Sequence, residues 1–380
     1  DNITLTKSGF TFLEFFAGGG MARVGLGDSW RCLLANDVDP KKCAAYRENF
    51  GDGDLTETDI SRLTLDDMPE IRADLMWGSF PCQDLSLAGM RGGMNAKRSG
   101  LFFEFWRLAE ALRGADRAPK IIAIENVTGL LTSNGGADFQ TIVSLLAQAG
   151  YATSATIIDA RSFVPQSRPR LFIIGIDQDI APTARDASSN SCSSVLAAHA
   201  ALPEGLKKDW FWLAPQASRQ SNARLQDILE TDSVVWHSEQ KTRDLLNMMA
   251  PAQRERVNAI IRNNVNRIGA GFRRTRIVNG ASVQRFEVRF DGVAGCLRTP
   301  AGGSSRQIIV AIENGAVRTR LLTPREAARL MGLRDDYILP ESTTAALKLC
   351  GDGVCAPVVQ WLGKNVFASA LNIAAKAKAA

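Results

Sequence analysis

Residues 11–27 constrain the fold more than any other stretch. Thr11-Phe12-Leu13-Glu14-Phe15-Phe16 is a short apolar, aromatic run. It meets Ala17-Gly18-Gly19-Gly20, and a helical pattern follows through Gly27. Strand, glycine turn and helix in that order open a doubly wound α/β sheet. The glycines let a ligand approach the backbone, although many plain turns use them too. Trp30 to Asp39 reads as a second strand, ending in acids roughly 20 residues after the glycines, where a carboxylate can take both hydroxyls of a ribose. A helix over Pro40 to Asn49 follows, with Pro40 suited to its first turn. Thr58-Asp59-Ile60 forms a third short element whose acid can meet an adenine amino group.

The fourth strand, around Leu75, leads into Gly78-Ser79-Phe80-Pro81-Cys82-Gln83 and then a glycine-dense segment with Gly89, Gly92, Gly93 and Gly100. A thiol at the mouth of a strand is a good place for a nucleophile, but a lone Pro-Cys is more often plain packing. Leu101 to Leu112 has the spacing of an amphipathic helix. Lys120 to Val127 reads as a buried parallel strand that ends in Glu125 and Asn126, at the sheet edge where such folds bind ligands. A capping or salt-bridging role is the plainer reading of Glu125. Another helix is expected over Phe139 to Ala149, then strands over Ala152 to Asp159 and Arg170 to Ile176.

Beyond Asp177 the character changes. Residues 181–205, rich in Ala, Ser, Asn and Asp, read as a linker or loop. Residues 207–300 show little periodicity. Thr323 and Pro324 mark the start of a helix, Ala356 to Phe367 is a last helix, and the Ala/Lys tail is expected to fray. The sequence therefore predicts three parts: a catalytic and cofactor-binding domain over 1–178, a basic recognition domain over 179–318, and a hinge and C-terminal helix over 319–380.

Of 380 residues, 45% are hydrophobic and 22% charged, which describes an ordinary globular chain. No apolar run reaches the roughly 18 residues that span a bilayer, and the first residues lack a secretory pattern. Seven cysteines with no Cys-x-x-Cys pair point to reduced thiols in a cytoplasm, and no metal site is expected. His199 and His237 have no partners that suit a triad. The net charge of +5 is uneven. Lys207 to Arg320 holds 19 basic residues against 10 acidic, and between Arg262 and Arg289 there are seven arginines and one acid, Glu287. A basic middle points to a polyanion partner, although such a cluster can also be a solvated surface.

Taken in order, the chain resembles the DNA cytosine-5 methyltransferase family. The residues that carry this are Phe16-Ala17-Gly18-Gly19-Gly20, Asn36-Asp37-Val38-Asp39, Asp59-Ile60, Gly78 to Gln83 with Ser86 and Gly89, Arg98-Ser99-Gly100-Leu101-Phe102, Glu125-Asn126-Val127, Gln166-Ser167-Arg168-Pro169-Arg170, Arg320 to Glu326, and Gly351-Asp352-Gly353-Val354. Each is weak alone, but the ordered set is specific. The resemblance implies a Rossmann-like, S-adenosylmethionine-dependent domain with a smaller, irregular target-recognition domain. It implies Cys82 as the nucleophile, Glu125 near N3 of the target ring, Arg170 at O2, and Arg168 orienting Glu125 and anchoring its loop. A raised pKa is expected for Glu125.

S-adenosylmethionine would meet Phe16, Gly18, Gly20, Asp37, Val38, Asp59, Ile60, Pro81, Leu101, Asp352 and Val354. Double-stranded DNA would be the partner, with the target base swung out of the stack and met by Gln83 and Ser86. Arg273, Arg274 and Arg276 are the groove candidates. Trp210 and Trp212 could stack on bases, but core packing is the plainer reading. A monomer is expected, cytoplasmic and held to the nucleoid by DNA, with a restriction endonuclease as a further partner. A tRNA cytosine-5 methyltransferase and an inactive DNA-binding homologue are the alternatives. Two positions depart from the family pattern: Asp352, where Asn is usual, and Glu14, where Asp is usual.

Overall fold

The computed structural model describes residues 9–81, 100–183, 191–213, 221–299 and 305–379. The chain divides into two compact units. One comprises residues 1–158, 169–217 and 358–380, the other 159–168 and 218–357.

The first unit is built on seven strands: β1 (Phe10–Phe15), β2 (Trp30–Asp37), β3 (Leu55–Glu57), β4 (Leu75–Gly78), β5 (Ile121–Asn126), β6 (Tyr151–Asp159) and β7 (Pro169–Asp177), in the order β3-β2-β1-β4-β5-β7-β6. β1 pairs in parallel with β2 and β4, β2 with β3, and β4 with β5. β7 runs antiparallel to β5. All residues of β5 are buried, as an internal strand covered on both faces requires. Alternation along the strands sorts the two faces. Leu13, Phe15, Met76, Ile122, Ile124, Leu171 and Ile173 share an apolar cluster with residues of the helices Leu101–Gly114 and Ala137–Gln148. On the opposite face the rings of Trp77 and Phe172 lie 6.2 Å apart. This is the doubly wound α/β class expected from residues 11–27.

Helix ends follow the sequence signals. Asp39 caps Pro40–Phe50, accepting from the N–H groups of Lys41 and Lys42. Thr323 and Glu326 form a capping box at Pro324–Leu330. The stretch read as a linker differs. Residues 193–200 and 204–207 are helical, and Val195 and Leu202 join the sheet's apolar cluster. Alanine favours helix strongly, so a loop-like composition concealed two short helices that needed only a few apolar anchors. Trp210 and Trp212 belong to the same cluster, 2% and 9% exposed, with His199 against both rings. The C-terminal helix also runs past its expected end, through the wider-wound Gly363–Phe367 to Ala379.

The second unit carries an antiparallel sheet of β8 (Arg267–Val278), β9 (Ala281–Arg289), β10 (Ile308–Glu313) and β11 (Ala316–Leu321), ordered β11-β10-β8-β9. Helices Glu239–Asn247 and Pro251–Arg262 and the link between them cover one face, burying Leu245, Leu246, Met249 and Val257 against Phe286, Val288, Ile308, Val310 and Ile312. On the edge strand β11 Arg320 is 1% exposed, and Glu326 in the helix that follows is fully buried, with N–O distances of 2.9 and 2.6 Å. Glu326 also accepts from the N–H groups of Glu230 and Thr323. No helix among the described residues is long and apolar enough to cross a membrane.

Glu326→Ala strands a buried guanidinium and is expected to cost about 3–5 kcal/mol. A urea titration followed by fluorescence should show the second unit unfolding at lower denaturant, and an unchanged midpoint would refute the reading.

Candidate active site

The parallel strands of the first unit deliver their carboxyl ends to one edge of the sheet. β1 and β4 are neighbours there, yet the chain leaves them in opposite directions across the sheet, which opens a crevice between their ends. Phe16 follows β1 with a positive φ of 57°, costly for a bulky side chain. Gly18 and Gly20 take φ values of 55° and 77°, a conformation glycine adopts without strain. A Cβ on Gly20 would come within 2.4 Å of the Phe50 ring, whereas one on Gly18 would meet, among the described residues, only Lys42 Cδ at 3.9 Å. Gly20 is therefore needed for packing, and Gly18 is bordered by little of the described chain.

The turn is held by Asp37 at the end of β2. One carboxylate oxygen accepts from Gly18 N–H and the other from Asp39 N–H, both at 2.8 Å. Each oxygen keeps a second lone pair for a ligand hydroxyl. Val38 beside it is 62% exposed, an apolar surface next to an acid. Asp59 is exposed and accepts from Ser61 N–H at 2.9 Å, a bond that holds its carboxyl below its ordinary range. Ile60 is buried, Leu101 packs half-buried at the head of its helix, and Pro81 is exposed.

β4 ends at Gly78, whose bare α-carbon lets Phe105 approach; a Cβ would come 2.7 Å from that ring. Phe80 is buried, with its ring 6.4 Å from that of Phe16. The Phe80 carbonyl accepts from Asn126 Nδ2 at 3.1 Å, while Asn126 Oδ1 accepts from Val127 N–H at 2.8 Å. Asn126 thus ties the end of β5 to the chain just before Cys82. Cys82, Gln83 and Ser86 lie outside the described residues. Among the described thiols, burial pushes Cys32, Cys43 and Cys350 up to about 12, so all three are protonated at neutral pH.

Glu125 is 7% exposed. Because β7 is antiparallel to β5, with Asn126 opposite Leu171 and Glu125 opposite Phe172, the start of β7 arrives beside the end of β5. Arg170 Nε stands 3.3 Å from Glu125 Oε1, and its Nη1 donates to the Pro169 carbonyl at 2.9 Å. A carboxyl and a guanidinium are therefore paired at the crevice edge.

Arg168 and the Asp352 segment belong to the second unit. Arg168 is 3% exposed. It donates to the carbonyls of Gly351 and Gly353 at 2.8 Å and of Leu297 at 3.2 Å, and its N–H meets Asp159. It anchors the Gly351–Val354 turn. Asp352 accepts from the Thr299 hydroxyl, a bond the sequence did not signal. Val354 is buried at 5% exposure. Arg274 and Arg276 share Glu287 across the β8–β9 pair, at 3.3 and 2.6 Å. Arg273 faces the other way, opposite Phe286.

Two residues named from the sequence have surroundings that the sequence does not show. Asn126 was visible as an amide beside an acid, but its partner is a carbonyl 46 residues away. Glu14 is 1% exposed, and burial pushes its carboxyl up to about 8. Its Oε2 has no hydrogen-bond partner among the described residues.

A family model described as C-5 cytosine-specific DNA methylase matches residues 10–368. The chain is similar to the Type II methyltransferase M.HpaII of Haemophilus parainfluenzae, 28% identical over 384 residues, covering 96% of this chain and 91% of the relative. It is likewise similar to M.HhaI of Haemophilus parahaemolyticus, 26% identical over 370 residues and 96% of each chain. Among solved structures, the S. pombe Dnmt2 methyltransferase superposes with a TM-score of 0.59 at 19% identity, covering 96% of this chain and 99% of that one. The Entamoeba histolytica methyltransferase EhMeth gives 0.61 at 16% identity over the same shares. At these identities the structural likeness bears on the fold.

Glu14 supplies a pH signature. Its folded pKa of about 8 lies above the ordinary 4.5, so between those values the folded state binds more protons than the unfolded one. Stability should fall as pH rises through that window, by on the order of 5 kcal/mol, and level off above it. Glu14→Gln should flatten the decline in melting temperature between pH 5 and 8, and parallel wild-type and variant curves would contradict it.

Proposed function

The chain belongs to the C-5 cytosine-specific DNA methylase family, and on that premise we propose how its own residues methylate cytosine at carbon 5. The observation that carries the proposal is the Glu125–Arg170 pair, 3.3 Å apart at the crevice edge, with Asn126 holding the backbone that leads to Cys82. Carbon 5 of cytosine is too poor a nucleophile to take a methyl group directly. Addition of the Cys82 thiolate to carbon 6 makes it an enamine carbon, and negative charge moves toward N3 and O2. Glu125 places a proton at N3, and Arg170 offsets charge at O2. Arg170 also holds Glu125 in orientation before the base arrives. Once carbon 5 carries the methyl group, a base, supplied as water, takes the carbon-5 proton. The electron pair returns to the ring, the Cys82 sulfur leaves as thiolate, and the N3 proton goes back to Glu125.

S-adenosylmethionine is the cofactor of this reading, and when bound it supplies the electrophilic methyl group. The residues at the crevice fit such a group. Little of the described chain borders Gly18, which admits it close to the backbone. Asp37 offers lone pairs to a ribose, exposed Val38 offers an apolar face to a purine, and Asp59 stays ionised to accept from an amino group. Asp352 and Val354, which the resemblance also names, belong to the second unit. The acid at 352, where the family pattern has Asn, bonds Thr299, so its charge is engaged by a residue of its own unit.

The substrate is DNA, and the proposed form is a duplex from which the target base is turned out, with Gln83 and Ser86 closing on it. The named relatives are Type II methyltransferases, which supports a role beside a restriction endonuclease. We propose that the protein acts as a monomer, with the cofactor site in residues 1–178 and DNA recognition in residues 179–318.

Methyl transfer from labelled S-adenosylmethionine to duplex DNA, with tRNA as the control acceptor, tests the reading. Cys82→Ser should abolish transfer, and 5-fluorocytosine in the target site should trap a covalent complex with the wild type alone. Glu125→Gln should lower kcat by roughly 10²–10⁴-fold while cofactor binding stays unchanged. Undiminished transfer by Cys82→Ser would end the mechanism.

A further inference from the structure

We infer that the β8–β9 hairpin is a two-stranded ribbon that enters the DNA major groove, with Arg276, braced by Glu287, reading a guanine. The inference deepens the reading of the chain as a DNA methyltransferase and rests on it. β8 pairs with β10 only over Arg267–Gly271, but with β9 from Ala270 to Val278. From Phe272 onward β9 is therefore its only strand neighbour among the described residues, and the ribbon runs for seven more residues, roughly 20 Å. The turn at its tip is Asn279-Gly280, both with positive φ, at 50° and 80°, the tight two-residue turn that suits a twisted hairpin. From Thr275 to Gln284 every residue except half-buried Val283 is exposed, and Ile277 is 71% exposed.

Beyond Phe272 and Phe286, which are buried, the ribbon does little for the core of its own unit, and a long exposed strand pair invites edge-to-edge pairing. Its charge selects the partner. Residues 272–287 hold four arginines, Arg273, Arg274, Arg276 and Arg285, against the single acid Glu287. Cross-strand register puts Arg274, Arg276 and Arg285 on one face with Glu287. Arg298 adds to that face, its guanidinium 4.9 Å from the Phe272 ring centre. The major groove, about 12 Å wide, admits a two-stranded ribbon and presents O6 and N7 of guanine to a guanidinium.

Arg276 is prepared for that contact. Its Nε and Nη2 donate to the two oxygens of Glu287 at 2.6 and 2.7 Å. An exposed ion pair adds little stability, but this one fixes the plane of the fork and leaves the Nη1 N–H groups outside the pair. Preorganisation of this kind lowers the ordering cost of binding. Ile277, at the tip, offers an apolar contact of the sort a thymine methyl takes.

The test uses the full chain, S-adenosylmethionine and duplexes carrying its methylated site, with guanine or with 7-deazaguanine, which lacks the N7 acceptor. Arg276→Ala should lower kcat/KM for DNA by roughly 5- to 150-fold, mainly through KM, with an unchanged melting temperature. Arg276→Lys should not restore it. 7-Deazaguanine should weaken the wild type and leave Arg276→Ala no weaker than before. Ile277→Asp should also raise KM for DNA. Equal sensitivity of wild type and Arg276→Ala to 7-deazaguanine would overturn the inference, as would wild-type kcat/KM in Arg276→Ala. So would a wild-type dimer that Ile277→Asp dissociates with no change in DNA methylation, which would give the ribbon edge to a second copy. If the wild type methylates no duplex at all, the enzymatic reading itself has failed and the inference falls with it.

Discussion

The site depends on one strand running the wrong way. Were β7 parallel to β5, Arg170 would emerge at the opposite edge of the sheet from Glu125, a strand's length away. The antiparallel ladder that sets Asn126 opposite Leu171 and Glu125 opposite Phe172 brings the guanidinium to the carboxylate. A register slip of a single residue would turn every β7 side chain to the other face. That slip is opposed by the apolar sorting of the strand, since Leu171 and Ile173 belong to the cluster with the helices while Phe172 packs toward Trp77. The placement of a polar pair is thus fixed by hydrophobic burial on both sides of it.

The crevice opposite is organised by backbone hydrogen bonds more than by side-chain contacts. Asp37 binds two N–H groups, one of them in the glycine turn, and Asn126 binds a carbonyl of the neighbouring strand's exit. Each ties the end of one strand to the start of a different loop. Loops fixed this way can carry chemistry without a core of their own. The strained Phe16 backbone lies between them, where its ring meets Phe80.

Much of the first unit was legible because its strands are covered on both faces. Near-continuous apolar runs such as Ile121–Ile124, punctuated by glycine turns, have few alternative readings. Long-range partners were not legible. Nothing near Asn126 in the chain announces the Phe80 carbonyl, and nothing near Asp352 announces Thr299. The second unit was harder for a physical reason. β8 carries arginines on both faces, and its distal half has no buried side, so the period-two signal that betrays a strand is missing. The helices at 193–207 were hidden by small residues that suit loops and helices equally. The basic character of this region, by contrast, was plain from composition, because charge needs no register to be counted.

The first unit is assembled from three separated lengths of chain, the last of them residues 358–380. Phe367 reaches the Trp30 ring at 6.4 Å between centres, and Gly363 packs beside Leu26. During synthesis on a ribosome the early strands must therefore wait for this late segment before the indole at Trp30 is covered. A nascent polypeptide stalled before residue 358 would expose an apolar flank on an otherwise nearly finished sheet, the kind of surface that chaperones engage.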